Sequence, residues 1–194
     1  MKKSLAIFVF IFYGTLVSNA QFHFKPGVRG GLNLSKVTNL DADSKADFFV
    51  GGQFELKFVK FYSLQPELTY SRQGFKTPND SFSLDYLSVG ITNKFTFGGG
   101  FNVLVGPTID FKVSDNFPTV LSDELIGVDF TLMGGIGYTF KNGLAVDVRF
   151  KQGIVDIFGD NYNEYNDENG NGNFDEVKLN SLFQFGVSYS FDLK

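Results

Sequence analysis

Apolar and polar residues alternate along most of this chain, and the alternation returns eight times. A period of two marks an extended strand with a different environment on each face, because successive side chains leave a pleated backbone on opposite sides. Phe22, Phe24, Val28, Leu32 and Leu34 alternate with His23, Lys25, Arg29, Asn33 and Ser35. Phe48, Val50, Phe54, Leu56 and Phe58 then alternate with Gln53, Glu55 and Lys57, and Tyr62, Leu64, Pro66, Leu68 and Tyr70 with Ser63, Gln65, Glu67, Thr69 and Ser71. In the fourth strand Leu87, Val89, Ile91, Phe95 and Phe97 share a phase that Asn93 interrupts, whereas Phe82, Leu84 and Tyr86 lie in the other phase. A bulge or a loop start near Tyr86 is the expected cause. The remaining strands are centred on Val103 to Phe111, Val128 to Phe140, Leu144 to Phe150 and Phe183 to Leu193.

The connections alternate too. Val59-Lys60, Gly98-Gly99-Gly100 and Lys141-Asn142-Gly143 are tight turns, while the stretches near 36–46, 75–85, 113–125 and 157–180 are long and polar. Short turns at one end and long loops at the other predict an all-β fold, an eight-stranded antiparallel up-and-down transmembrane β-barrel with both chain ends on the short-turn side. No helical period, linker or second domain interrupts residues 21–194.

Alternation alone does not say whether the apolar phase faces lipid or a ligand cavity, as in a soluble lipocalin-like barrel. Charge separates the two. The polar phase carries Glu55, Glu67, Asp110, Asp129 and Asp147 against Lys25, Arg29, Lys57, Lys94, Lys112, Arg149 and Lys151, while the apolar phase carries Arg72 alone, close to a long loop. A lipid-facing wall must be nearly free of charge, since Lys or Arg at the bilayer midplane costs roughly 2–4 kcal/mol. An eight-stranded interior is only wide enough for side chains. The charges are therefore expected to form a paired plug around Glu55, Lys57, Glu67, Lys94, Asp110, Asp129, Asp147 and Arg149, which argues against a wide channel. Phe58, Phe97, Phe101, Tyr138, Phe140, Tyr189 and Phe191 gather near the turn side, as an interfacial girdle would.

The start of the chain bears on location. Met1-Lys2-Lys3 precedes a thirteen-residue apolar block, Leu5 to Val17, and the small residues Ser18 and Ala20. The block is shorter than the ~17 residues a spanning helix needs, so residues 1–20 are expected to be a cleavable export signal. The whole chain carries −4 and, once Lys2 and Lys3 are removed, −6. That acidity argues against nucleic acid. The 25 Phe, 8 Tyr and 22 Gly suit aromatic strands with glycine turns, and the absence of Cys excludes disulfides and thiolate metal sites.

Candidate chemistry is sparse. His23 is the only histidine and no serine or acid is placed beside it, so no nucleophilic triad is expected and the chain does not read as an enzyme. Gly30-Gly31, Gly51-Gly52 and Gly134-Gly135 do not open helices and are not phosphate loops. Asp167, Asn169, Asn171 and Asp175 stand at positions 1, 3, 5 and 9 of a calcium-loop spacing with Gly172 at 6, but Lys178 occupies position 12 where a bidentate acid belongs. Calcium there would be weakly held, and a soluble Asn/Gly-rich loop is the alternative. No other cofactor is expected.

In the last strand Gln184, Gly186, Tyr189 and Phe191 resemble the signal by which the outer-membrane assembly machinery recognises barrels, although Asp192-Leu193-Lys194 extend past the usual aromatic end. The stretches 27–35 (Gly-Val-Arg-Gly-Gly-Leu-Asn-Leu-Ser), 64–75 (Leu-Gln-Pro-Glu-Leu-Thr-Tyr-Ser-Arg-Gln-Gly-Phe) and 146–150 (Val-Asp-Val-Arg-Phe) resemble the PorT-type outer-membrane β-barrel family, except that Gly90 stands where that family usually has proline. The resemblance implies residence in the lipid bilayer of the outer membrane and, for some members, support of protein secretion. Two roles follow as expectations: a barrel presenting external loops, with 157–180 as the contact surface for an extracellular or secretion-system protein, or a secretion accessory.

Overall fold

The computed structural model describes residues 23–40, 42–118, 125–157 and 177–192. The export signal expected over residues 1–20 lies outside them, as do Asp167, Asn169, Asn171 and Asp175.

Eight strands, β1 (His23–Val37), β2 (Asp43–Val59), β3 (Tyr62–Lys76), β4 (Ser81–Thr96), β5 (Phe101–Asp115), β6 (Val128–Thr139), β7 (Leu144–Asp156) and β8 (Leu179–Ser190), follow one another around a closed barrel. Each is antiparallel to its neighbours, and β1 closes the ring against β8 from Gly27↔Ser190 to Val37↔Asn180. Closure leaves no unpaired strand edge, which hydrocarbon would not tolerate. One 3-10 turn, Gly98–Gly100, joins β4 to β5 with Gly99 at φ 87° and Gly100 at φ 105°, backbone that a side chain rarely allows.

The two faces segregate as the alternation requires. Outward residues such as Leu32, Val50, Leu68, Ile91, Phe130, Leu132, Ile136 and Phe185 are exposed, while the interior buries Arg29, Asn33, Gln53, Glu67, Lys94, Asp110, Arg149 and Gln184. An apolar outside around a polar inside is the reverse of a soluble barrel and excludes the lipocalin-like reading. Phe58 at the β2–β3 turn, Phe97 and Phe101 at the β4–β5 turn, Tyr138 and Phe140 at the β6–β7 turn, and Tyr189 and Phe191 at the end of β8 all lie exposed on the turn side.

Three expectations need correction. The strands, of 12 to 17 residues, outrun the ~9–11 that cross a bilayer, so the long stretches near 36–46 and 75–85 are mostly strand, with connections of only 38–42 and 77–80. Backbone pairing continues above the apolar band because its hydrogen bonds do not depend on which solvent the side chains meet.

β4 does not change phase. Leu84 and Tyr86 point inward like Ser88, Thr92 and Lys94 below them, and the bulge beside Tyr86 belongs to β5: Asp85 pairs with Ser114 and Tyr86 with Lys112, leaving Val113 as the extra residue. The inward apolar residues have a partner set of their own. Val37, Phe75, Leu84, Tyr86, Leu125 and Ile157, with Leu40, Ala42, Phe82 and Phe117 around them, form a hydrophobic cluster at the loop end of the lumen. The interior is thus layered, apolar above and ionic below. The third correction concerns the membrane-facing wall, where Arg72 is not the only charge: its cross-strand partner Asp85 and, on β1, Lys36 also lie outward at the loop-side margin.

Candidate functional site

The lower layer centres on four charged side chains carried by three strands. Arg29 of β1 donates through Nη1 to Glu67 Oε2 at 2.7 Å and through Nη2 to Asp147 Oδ1 at 3.4 Å. Arg149 of β7 places Nη1 at 3.0 and 2.8 Å from the two Glu67 oxygens, and Nε at 2.8 Å from Asp147 Oδ1. Two guanidiniums and two carboxylates therefore close a ring. Thr92 adds a hydroxyl to Glu67 Oε1 at 2.9 Å, and the Arg29 guanidinium lies 4.7 Å from the centroid of Phe49, which points inward from β2. All four charged side chains are 3–6 % exposed, so each depends on its partners in place of water.

The other residues expected in the plug divide. Lys94 meets Glu55 at 3.3 Å nearer the turns, with Ser63 Oγ donating to the same carboxylate, and Lys151 meets Asp110 at 3.0 Å nearer the loops. Asp129 lies buried with no ion pair among the described residues: its Oδ1 accepts from the Val155 amide, and its Oδ2 has no hydrogen-bond partner among them. Lys57 does not join. It sits exposed two residues before the end of β2, where the lumen opens to solvent, and has no ion pair among the described residues. Between Gln53, Lys94, Asn102 and Arg149 the lumen keeps a cavity of about 20 Å³, room for little more than one water.

A second ionic group was hidden from pattern reading. Asp47 spans Lys45 (2.7 Å) and Arg72 (3.7 Å), and Arg72 reaches Asp85 at 3.6 Å. A register shift in β2 between Ser44 and Phe49 makes this arrangement, because one extra residue there turns the side chains out of strict alternation. The consecutive Phe48-Phe49 pair, with Phe48 outward and Phe49 inward, was the available signal.

The residues of the suggested insertion signal have places in the wall. Gln184 Nε2 donates to Asn33 Oδ1 at 3.0 Å inside the lumen, and Tyr189 and Phe191 pack edge to face outside at 5.2 Å. Gly186 faces Gly31 across the closing seam, and a Cβ on Gly186 would stand 2.9 Å from Asp147 Oδ1. Among the described residues no three His, Cys, Asp or Glu side chains could share a metal ion.

A closed eight-stranded barrel with a lipid-facing apolar band and an ion-paired interior is an integral outer-membrane protein. The chain belongs to the outer membrane protein beta-barrel domain family, whose model matches residues 19–159. No curated protein matches it in sequence. Among solved structures it is similar to Neisserial surface protein A, at 13% identity and TM-score 0.51 over 87% of this chain and 97% of that one. It is similar also to the attachment invasion locus protein Ail of Yersinia pestis, solved with the heparin analogue sucrose octasulfate, at 12% identity and TM-score 0.51 over 87% and 99%. At such identities the likeness is one of fold.

Proposed function

We propose that the protein is a non-enzymatic barrel that holds extracellular loops at the cell surface, with the segment 157–180 as its main contact surface for a protein partner. The observation that carries this reading is the occupied lumen. The Arg29–Glu67–Asp147–Arg149 ring lies below an apolar cluster built on Leu84 and Tyr86, and among the described residues the side chains of the two layers are taken up with one another. A rigid wall with its longer connections at one end is a scaffold for recognition. Protease applied to intact cells is expected to cut within 157–180 and leave the strands whole; protection of that segment would end the proposal.

The PorT-type reading, an accessory of protein secretion, rests on the stretches 27–35, 64–75 and 146–150. Their buried charges, Arg29, Glu67, Asp147 and Arg149, are the four that form the ring. The resemblance therefore reflects how the lumen is filled, and it supports a shared architecture more directly than a shared task. Deletion of the gene with secretion unimpaired would remove this second reading and leave the first.

A further inference from the structure

The outer wall of a barrel is convex, yet at the loop-side margin a recess of about 420 Å³ opens from Ser44 of β2 across β1, β8 and β7. Two rows of side chains line it, set by strand register. Leu34 pairs with Phe183 and Phe183 with Phe150, which gives an apolar row; one step toward the loops Lys36 pairs with Ser181 and Ser181 with Gln152, which gives a polar one. Ser181 is only 5% exposed although it lies on the outer face, whereas Phe183 below it is 46% exposed, so the recess is deepest at the polar row. Immediately above, β7 advances four residues, Gln152 to Asp156, while β8 advances two, and this bulge interrupts the smooth wall.

The boundary between the rows is also the upper edge of the membrane-facing band. In β3 it falls between Tyr70 and Arg72, and in β1 between Leu34 and Lys36. At that level an apolar floor meets acyl chain and a polar row meets headgroup. The charge is matched to one sign of ligand: Lys36 is exposed and has no acid partner among the described residues, while Arg72 is held between Asp47 and Asp85 and Lys76 lies across from Asp43. Among the described residues no carboxylate lines the recess. Its volume is within the few hundred Å³ typical of ligand sites.

We propose that this recess binds one phosphate-bearing lipid of the outer leaflet, with its phosphate on Lys36 and an acyl chain along Leu34, Phe150 and Phe183. The test is native mass spectrometry of the refolded barrel released from phosphatidylcholine vesicles doped with lipid A. A single retained lipid A is expected. Lys36→Gln should lower its retention about fivefold, the effect of one cation at a membrane surface, and Phe183→Ala should lower it as well, while Lys76→Gln leaves it unchanged. Equal losses with Lys36→Gln and Lys76→Gln would mean diffuse surface attraction and overturn the proposal. So would equal retention of dephosphorylated lipid A, or release of the lipid by inorganic phosphate alone. Lys36→Arg should retain the lipid, and because residue 36 is exposed, heat-dependent gel mobility should report every Lys36 variant as folded.

Discussion

At the residue scale the protein depends on a few positions where charge or size has no tolerance. Glu67 is the clearest, because its two oxygens accept from Arg29, Arg149 and the Thr92 hydroxyl. Glu67→Gln keeps the shape and removes the charge, leaving two buried guanidiniums with Asp147 alone; a loss of about 3–5 kcal/mol is expected, the range for breaking a buried ionic group from one side. Denaturant titration of the refolded barrel in vesicles, followed by gel mobility, measures it, with Lys57→Gln as the exposed control expected within about 0.5 kcal/mol. High salt should leave the difference intact, since ions screen exposed charges and not these. A second intolerance is steric. A Cβ on Gly31 would run into the Phe185 carbonyl of the closing strand, whereas one on Gly134 meets nothing within 4 Å. Gly31→Ala is therefore expected to cost about 1–3 kcal/mol by overpacking the β1–β8 seam, and Gly134→Ala to change stability little; the same titration would refute this if the two variants behaved alike.

At the element scale the alternation carried most of the fold, because each strand separates lipid from lumen and a period of two records that separation residue by residue. Strand number, order and the tight turns were legible for this reason. The upper halves of the strands were not, since above the membrane the outer face becomes polar and the inner face becomes apolar: Lys36 and Arg72 replace Leu34 and Tyr70 outside, while Val37, Phe75 and Leu84 replace polar residues inside. The inversion looks like a loop when only the pattern is read. Of the plug, the residues Arg29, Glu67, Asp147 and Arg149 were legible as inward charges, but their convergence needed the registers of β1, β3 and β7 together. Lys57 was misplaced because alternation fixes a face and not a depth. The apolar layer gives this scale its own test. Leu84 is 1% exposed and Leu87, on the same strand, faces lipid at 39%. Leu84→Ala should cost about 2–5 kcal/mol through an unfilled cavity, and Leu87→Ala clearly less, since lipid chains can refill the space; equal costs in the vesicle titration would show that the apolar layer is not packed as described.

For the whole molecule the two layers answer to different physics, and that makes the seal robust. The ionic ring opposes passage of apolar solutes because its buried charges depend on one another, and the cluster around Tyr86 opposes ions because its side chains, apolar apart from the Tyr86 hydroxyl, offer too little to replace their water. An ion would have to cross both. The barrel is therefore expected to show no steady conductance in planar bilayers at any salt concentration, even though barrels of more strands enclose aqueous channels, because eight strands enclose only enough space for the side chains already there. Weakening one layer should leave the other closed: Tyr86→Ala alone should remain silent, as should Glu67→Gln alone, and current should appear only when both are combined in a barrel that still folds by gel mobility. A stable open channel in the unaltered protein would contradict the filled lumen, and with it the argument that the function lies in the loops the wall holds outside the cell.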